Sequence, residues 1–325
     1  MPEDEQSRHV AWVLTDGRAG NLSQALGLAE RVGFDVVVKT INPSAPWKWL
    51  PAGLWPVGVA GTGEGGESLD GAAPNLVVSC GRRAIGPALW LKRRHGDRLF
   101  LVHILHPRGQ LGRFDMVVAP AHDGIDAPNV VEMDGSLHGI TRPKLEAAAD
   151  LFRDSRGDLP HPLVAVLIGG SNRTYRFTDE AVDRLVRDLR ALADKHGARL
   201  LVTMSRRTGA DAARKLRDGL QDVAADIWDG AGDNPYLAYL GLADAIVVTG
   251  DSVNMISEAC STGKPVYIFP LAGGENSKFA KFHEAMVSKG HARYFSGDLE
   301  TWSGVPLDET SRVAKEVRKR MGLSD

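Results

Sequence analysis

Residues 243–270, ADAIVVTGDSVNMISEACSTGKPVYIFP, show the fold class of this chain most clearly. The apolar run Ala245–Thr249 is typical of a strand buried on both faces, as in a parallel sheet. Asp251 or Ser252 is expected to cap a helix that follows, and Gly263–Pro265 to end that helix before another strand. The stretch therefore predicts strand, helix, strand, which is the repeating unit of parallel α/β proteins.

The same alternation continues along the chain. Short runs rich in Val, Ile and Leu predict strands at Val10–Thr15, Phe34–Ile41, Leu76–Cys80, Leu99–Leu105, Met116–Ala119, Leu163–Ile168, Arg199–Met204, Ala245–Thr249 and Pro265–Phe269. Stretches with helical spacing of apolar residues lie between them, including Leu22–Val32, Thr178–His196, Ser252–Thr262 and Ser277–Lys289. The pattern predicts an α/β protein with parallel sheets.

The chain has 325 residues, about twice the length of a usual single domain. The charged, proline-containing segment 140–162 separates two halves, each of which opens with a strand and a glycine-containing loop. Two Rossmann-like domains with a cleft between them are therefore expected. We place an N-terminal domain at 1–155, a C-terminal domain at 156–306 and an amphipathic helical segment at 307–325.

Composition excludes several classes of protein. The chain is 43% hydrophobic and 25% charged with a net charge of −2, so it is neither disordered nor fibrous. Residues 1–150 carry 15 Lys and Arg against 17 Asp and Glu, so neither half is basic. The charge balance therefore argues against nucleic acid as a partner.

The sequence also bears on the compartment. No run approaches the roughly 18 uninterrupted apolar residues of a membrane span, and the start Met1–Glu5 is acidic where a secretory signal is basic. Cys80 and Cys260 lie in apolar segments and are predicted to be buried thiols. We expect a cytoplasmic protein.

One proline- and glycine-rich stretch, residues 42–75, breaks the alternation and contains Trp47, Trp49 and Trp55. These rings are expected to cover the core of their own domain. The alternative is an exposed aromatic patch that contacts a protein partner or lies weakly and peripherally on a membrane surface.

Loops at the carboxyl ends of the strands are the expected ligand sites, because open α/β sheets bind ligands there. Small residues allow backbone N–H groups to approach an anion, and helix N-termini and arginines add positive charge. The alternative for each loop is a tight turn or a helix cap with solvated arginines. The candidates in these loops are Gly17, Arg18, Gly20, Asn21, Gly169, Gly170, Ser171, Asn172, Arg173, Ser205 and Arg206.

Further candidates follow the later strands of the C-terminal half. A carboxylate at Glu258, in the helix that follows Thr249, could accept two hydrogen bonds from a ribose diol. The set consists of Thr249, Asp251, Ser252, Asn254 and Glu258, with Gly274 and Lys278 in the loop after the next strand.

Strand, small polar turn, helix with a Glu, Gly-Lys-Pro and strand together resemble the nucleotide-sugar motif of GT-B glycosyltransferases. The resemblance implies that Glu258 binds ribose, that Gly169–Asn172 lies near a diphosphate, and that the last helix crosses back to the first domain. It implies a nucleotide-diphospho sugar as substrate, without a further cofactor.

Motifs along nearly the whole chain resemble the mitochondrial fission ELM (elongated mitochondria) family. They are LTDGRAGN (14–21), CGRRAIGP (80–87), HILHPR (103–108), PAHD (120–123), GSLHG (135–139), GGSNRTY (169–175) and DSVNMISEACSTGKP (251–265). Bacterial members of this family are described as predicted nucleoside-diphosphate-sugar epimerases, and the plant member implies recruitment of a dynamin-related protein. Neither a dinucleotide fingerprint nor a Tyr-x-x-x-Lys pair occurs here, which disfavours an epimerase of the short-chain dehydrogenase type.

Acid–base groups are expected in the N-terminal half, on the acceptor side. Asp16, His106 and Asp123 follow predicted strands and are the catalytic candidates, because a transferase needs one base near the acceptor hydroxyl. The sequence contains no Asp-x-Asp pair and no convincing set of metal ligands, so no metal is expected. The leading hypothesis is a metal-independent glycosyltransferase. A non-catalytic adaptor of the fission-factor type is the alternative, and an epimerase is the third.

Overall fold

The computed structural model describes residues 9–50, 63–275 and 277–324. The chain divides into two compact units. Unit 1 consists of the chain up to Gly139 together with the chain from Asp308 onward. Unit 2 is Ile140–Leu307. The helix Arg142–Arg156, which lies before the predicted boundary at 155/156, is part of unit 2.

Strands and helices alternate through the described residues. The strands are β1 (Val10–Thr15), β2 (Asp35–Thr40), β3 (Leu76–Cys80), β4 (Phe100–Ile104), β5 (Met116–Pro120), β6 (Val130–Met133), β7 (Leu163–Ile168), β8 (Arg199–Met204), β9 (Ala225–Ile227), β10 (Ala245–Thr249), β11 (Val266–Phe269) and β12 (Arg293–Tyr294). The helices are α1 (Ala19–Val32), α2 (Ile85–His95), α3 (Arg142–Arg156), α4 (Asp179–His196), α5 (Ala210–Gly219), α6 (Tyr236–Leu242), α7 (Val253–Cys260), α8 (Lys278–Ser288) and α9 (Glu309–Arg320).

Each unit is built on one parallel six-stranded sheet. The order is β2-β1-β3-β4-β5-β6 in unit 1 and β12-β11-β10-β7-β8-β9 in unit 2. All of the paired strands in both sheets run parallel, and β3, β7 and β10 in the middle of the sheets are buried along their whole length. The predicted α/β fold with two parallel sheets is therefore confirmed.

Three short strands escape prediction from the sequence. β6, β9 and β12 have four, three and two residues, and each includes a charged side chain, Glu132, Asp226 or Arg293. Edge strands face neighbours on one side only, so they do not need the continuous apolar run that identifies a central strand.

Helix α9 closes the apolar face of unit 1. Val313, Ala314 and Val317 belong to the same buried cluster as Leu28 and Val32 of α1. The guanidinium of Arg318 donates to the backbone oxygen of Val32 over 3.0 Å, at the end of α1 where the last carbonyls lack helical partners. The end of the chain is thereby part of the core of unit 1.

The tryptophans of the proline-rich stretch differ in environment. Trp47 is half-buried and packs against the cluster beneath α2, whereas Trp49 is 71% exposed. Trp55 lies outside the described residues. Trp47 thus fits the expectation of a ring that covers its own core, and Trp49 does not.

Both cysteines are buried, as predicted. Burial raises the pKa of the Cys80 thiol, and it raises the pKa of Cys260 to about 12. A thiol in that state is not a nucleophile near neutral pH.

One histidine is completely enclosed in the core of unit 1. His103 on β4 has no exposed surface, its Nδ1 lies 2.9 Å from the Ser79 hydroxyl, and that hydroxyl donates to the backbone oxygen of Val102. Nδ1 therefore carries the proton, and the buried Nε2 has no hydrogen-bond partner among the described residues. Burial lowers the pKa of His103 to about 3, so the ring is neutral.

The burial of His103 is expected to make the folded state less stable in acid. Unfolded His103 binds a proton below pH 6.5 whereas the folded ring does not until about pH 3, so stability from this group is lost as pH falls through that interval. We expect His103→Leu to change the free energy of unfolding by less than about 1 kcal/mol near neutral pH. The variant should lose less stability on acidification than the wild type, as followed by urea unfolding at several pH values. An equal loss of stability on acidification in His103→Leu and in the wild type would contradict this account.

Candidate functional site

The loops that follow β7, β8 and β10 meet at one edge of the unit 2 sheet. The chain begins this sheet at β7, continues to β8 on one side and returns to β10 on the other, so the strand order reverses between β7 and β10. Such reversals open a crevice at the carboxyl ends of the strands, where α/β proteins bind ligands. We call the loops 169–175, 205–209 and 250–252 the unit 2 edge.

The carboxylate of Asp251 lies at the centre of the unit 2 edge. Its Oδ2 accepts from the Gly170 N–H over 3.0 Å and from Arg207 Nη2 over 2.6 Å, and its Oδ1 accepts from the Thr249 hydroxyl over 2.7 Å. Thr249 Oγ1 in turn accepts from the Gly169 N–H over 2.7 Å. One buried carboxylate therefore connects all three loops.

Burial and hydrogen bonding act in opposite directions on this group. Burial raises the pKa of Asp251 above its usual range, whereas Thr249, Gly170 and Arg207 favour the charged form. An ionised carboxylate can accept every one of these hydrogen bonds, and a buried charge requires such compensation.

The two glycines of the β7 loop are required by close packing. A side chain at Gly169 would collide with the Asp251 carboxylate, and one at Gly170 would collide with the backbone of Arg207. Their N–H groups, predicted to face a diphosphate, are occupied by Thr249 and Asp251. In this structure both glycines belong to the frame of the unit 2 edge.

Other predicted polar residues also hold these loops together. The Asn172 side chain accepts from the backbone N–H groups of Thr174 and Tyr175 over 2.8 Å and donates to the backbone oxygen of Asp251. Ser205 Oγ donates to the Gly169 oxygen over 3.0 Å. Ser171 Oγ likewise accepts from the backbone N–H of Phe177 over 3.0 Å.

Arg173 and Arg206 differ from the residues described above, which hold the loops of the unit 2 edge together and which we call its framework. Both side chains are exposed, and neither has an ion pair within the described part of the chain. The neighbouring Arg207, which was not predicted, is the arginine that turns inward to Asp251. No feature of the Ser205-Arg206-Arg207 sequence distinguishes the two arginines beforehand.

Helix α7 carries the next predicted groups. Ser252, rather than Asp251, caps it by accepting from the Met255 N–H, and Asn254 is half-buried in its first turn. Glu258 lies about one and a half turns after Val253, the first residue of α7, and its Oε2 accepts from the Tyr236 hydroxyl over 2.6 Å. Burial, together with the nearby Glu258 charge, raises the pKa of Tyr236 well above its usual value, so the hydroxyl is a permanent donor.

Sequence reasoning missed Tyr236. Asn234-Pro235-Tyr236 follows β9 at the same edge of the sheet, where the Asn234 side chain accepts from the Tyr236 N–H over 3.0 Å, but β9 is one of the strands that escape prediction from the sequence. A cavity of about 590 Å³ adjoins this segment and is lined in part by Trp228, Asp229 and Tyr239.

The loop after β11 is joined to the β7 loop. Arg176 and Ala272 form an antiparallel bridge, and the Tyr175 ring packs edge-on against Phe279. Gly274 has a φ of +80°, a conformation that favours glycine, and a Cβ there would meet Thr174 and the Tyr175 ring. Lys278 begins α8 and is exposed.

The same loop begins a helix that carries His283. His283 is buried and stacks on Tyr175, and burial lowers the pKa of its ring.

In unit 1, Asp16 organises the loop after β1. Its Oδ1 accepts from the Arg18 N–H and from Asn21 Nδ2 over 3.3 and 3.1 Å, and the Arg18 side chain approaches Oδ2 to 3.4 Å. The Asp16 side chain is only 4% exposed. Gly17 has a φ of +77°, and Gly20 lies in the first turn of α1.

The remaining predicted catalytic groups follow β4 and β5. His106 is exposed, and its Nδ1 accepts from the Arg108 N–H over 2.8 Å. The neutral ring therefore carries its proton on Nε2 and presents a donor rather than a base. Asp123 is half-buried in a 3₁₀ turn directly after β5.

The described residues show neither a metal-binding cluster nor a membrane-spanning helix. No group of three or more His, Cys, Asp or Glu in these residues could hold a metal ion. Among the described residues, none of the helices is both long enough and apolar enough to cross a membrane.

Each unit is Rossmann-like, with polar and glycine-containing loops at the carboxyl edge of a parallel sheet. Two such units in one chain define a GT-B-like protein. Within that class, the chain belongs to the Mitochondrial fission ELM1 family, whose model matches residues 19–321.

Two relatives show how far the sequence is shared. Mitochondrial fission protein ELM1 of Arabidopsis thaliana is 35% identical over 284 residues, which cover 78% of this chain. The match spans 66% of the plant protein, slightly less than two thirds of its length. The uncharacterized protein RP120 of Rickettsia prowazekii is 26% identical over 94% of this chain and 97% of its own.

A solved structure shares the fold over nearly the whole chain. The UDP-GlcNAc 2-epimerase of Methanocaldococcus jannaschii aligns with a TM-score of 0.58 at 13% identity, covering 96% of this chain and 99% of that one. Its complex with UDP-GlcNAc and UDP aligns with a TM-score of 0.52. Identity this low shows a common fold alone.

The Asp251 network makes a direct stability prediction. Asp251→Ala is expected to lower the free energy of unfolding by about 3 kcal/mol, because it leaves Arg207 and the Gly170 N–H without their buried acceptor. Chemical denaturation measures this loss. The exposed Asp222→Ala should change stability by less than about 0.5 kcal/mol. An Asp251→Ala protein as stable as Asp222→Ala would show that the network does not stabilise unit 2.

Proposed function

We propose that unit 2 binds a nucleoside-diphosphate sugar and that the protein is a metal-independent glycosyltransferase. The observation that carries the proposal is the 2.6 Å hydrogen bond between Tyr236 and Glu258, which orients a carboxylate beside the unit 2 edge. The absence of any Asp-x-Asp pair from the sequence supports chemistry without a metal.

Glu258 would bind the ribose. Tyr236 donates to Oε2 and holds the carboxylate in one orientation, in which it could accept from the ribose diol. The Tyr236 hydroxyl stays protonated because its pKa is raised, and it therefore orients the carboxylate without competing for the diol protons. Recognition of a ribose by one fixed carboxylate follows the same chemistry as in dinucleotide-binding folds.

The diphosphate would be bound by the groups that the frame leaves available. Arg173 and Arg206 are exposed and positively charged, and α7 begins at Val253 with its N-terminus at the unit 2 edge. Guanidinium groups and helix N-termini both favour phosphate oxygens. The nucleobase would lie toward residues 228–235, since this segment leads directly into Tyr236 and adjoins the cavity beside β9.

The acceptor and the chemistry would belong to unit 1. In the transfer, a base takes the proton of the acceptor hydroxyl, the acceptor oxygen bonds to the anomeric carbon, and the nucleoside diphosphate leaves. Asp16 already accepts two hydrogen bonds within its own loop, and His106 presents a proton donor. Asp123, which lies half-buried directly after β5, is our candidate base, and His106 would donate to the acceptor or its substituents.

Epimerisation of a nucleotide sugar is the second candidate. The fold is shared with a UDP-GlcNAc 2-epimerase over nearly the whole chain, and its complex with UDP-GlcNAc and UDP shows that the fold can bind such a ligand. The missing Tyr-x-x-x-Lys pair disfavours only an epimerase of the short-chain dehydrogenase type. Detection of a C2 epimer from UDP-GlcNAc without an acceptor would favour this candidate over glycosyl transfer.

A thermal-shift screen with UDP, CDP, CMP, GDP, TDP and NAD tests binding. One nucleoside diphosphate is expected to raise the melting temperature of the full chain. Glu258→Gln and Tyr236→Phe should each weaken its binding, the former by about tenfold or more, because a charge-assisted hydrogen bond to ribose is lost.

The control for these variants is Glu284→Gln, an exposed glutamate on α8 of the same unit. It should leave the nucleotide affinity unchanged. Equal affinity in Glu258→Gln and Glu284→Gln would reject the ribose site, and no shift with any nucleotide would favour the non-catalytic adaptor.

A further inference from the structure

Three loops leave the unit 1 sheet at the same level. Leu14 of β1 pairs with Ser79 of β3, and Ser79 pairs with His103 of β4. Two residues after each of these paired positions, the chain has left the strand and begun its loop. The loops then run through Asp16–Arg18, Gly81–Arg83 and Leu105–Arg108. Because neighbouring strands are about 4.8 Å apart, the three loop starts lie within about 10 Å of one another. We call these three loops the unit 1 edge.

The unit 1 edge is strongly cationic. Arg18, Arg82, Arg83 and Arg108 are all exposed, and Asp16 is the only acidic residue in the three loops. Asp16 approaches Arg18, but its own side chain is 4% exposed against 74% for Arg18. Arg82, Arg83 and Arg108 have no ion pair within residues 9–50, 63–275 and 277–324. Three exposed guanidinium groups are thus left without an acidic partner in the described chain.

The backbone adds further donors to the same edge. Helices α1 and α2 begin there, and neither has a side-chain cap or an acidic residue in its first turn. In contrast, α3, α4, α7, α8 and α9 are each capped by a Ser, Thr or Asp side chain, whereas α5 and α6 lack a side-chain cap as α1 and α2 do. His106 contributes an Nε2–H donor because its Nδ1 accepts from Arg108. Uncapped first turns favour an anion that can accept from their N–H groups.

The β4 loop is held in a conformation that its residues rarely adopt. Leu105 and Arg108 have φ values of +78° and +49°, and they are the two residues other than glycine with positive φ in the described chain. Such strain is concentrated at functional sites, since elsewhere nothing selects for it. Here it lies in the loop that presents His106 and Arg108.

We propose that the unit 1 edge is a binding site for a diphosphate or phosphomonoester group. Arginine is suited to this class of ligand because its planar guanidinium can donate two parallel hydrogen bonds to phosphate oxygens. The ligand is distinct from the nucleotide sugar of unit 2, and the site stands on unit 1 residues whether or not unit 2 binds a nucleotide. If the proposed function holds, the acceptor is a phosphorylated molecule.

The test measures binding of inorganic pyrophosphate to the full-length protein by calorimetry. Arg82→Gln/Arg83→Gln should weaken binding by about tenfold or more, because charge-assisted hydrogen bonds to phosphate are lost. Arg93→Gln/Arg98→Gln removes the same charge from exposed positions at and beyond the other end of α2 and should leave binding unchanged. Nucleotide affinity should be the same in both double variants, which separates this site from the one in unit 2.

Two arms identify the source of the phosphate. Binding of pyrophosphate without binding to vesicles supports a soluble ligand. Additional binding to phosphatidic acid vesicles, but not to phosphatidylcholine vesicles, supports a lipid phosphate. In both cases the binding should be lost in Arg82→Gln/Arg83→Gln. Absence of both kinds of binding overturns the proposal. An equal loss in the two double variants also overturns it, because the effect would then follow net charge rather than the loops.

Discussion

The carboxylate of Asp251 is fully enclosed, and three strand-end loops depend on it for their positions. It accepts from the β7 loop, from Thr249 at the end of its own strand, and from Arg207 in the β8 loop. A buried charge is costly unless each lone pair is used, so these partners cannot move independently. The exposed Arg173 and Arg206 are carried on loops that this one interaction has already fixed.

Unit 1 has an equivalent arrangement at the equivalent place. Its strand order reverses between β1 and β3, and there the nearly buried Asp16 holds Arg18 and Asn21. Asn21 in turn lies against Gly81 at the end of β3, where a Cβ would come within 2.5 Å of the Asn21 amide. In both units an aspartate and a glycine at the reversal bring neighbouring loops together. Asp16 and Asp251, which sequence reasoning assigned to chemistry and to ligand binding, hold these loops in place in the structure.

The fold could be predicted because it depends on patterns that a sequence displays directly. Central strands such as β7 and β10 are continuous apolar runs, and the cap at Ser252 precedes its helix in the expected way. The division of labour within each loop could not be predicted, because it depends on which side chains turn inward. Arg206 and Arg207 are adjacent and chemically identical, yet only Arg207 reaches Asp251. Tyr236 was missed because its partner Glu258 is 22 residues away, and no local spacing connects the two.

Framework groups and exposed groups have different parts in the proposed function. Framework contacts at Asp251 and Asp16 need no substrate, so they would persist in a family member that had lost its chemistry. Transfer of a glycosyl group requires an available base as well, and His106 is held as a donor by the Arg108 backbone. Under the proposed function, a member of this family could therefore keep the loop framework and lose turnover through a change at a single position such as Asp123. A shared fold and family are thus compatible with both an enzyme and a non-catalytic adaptor, because the framework that they share performs no chemistry.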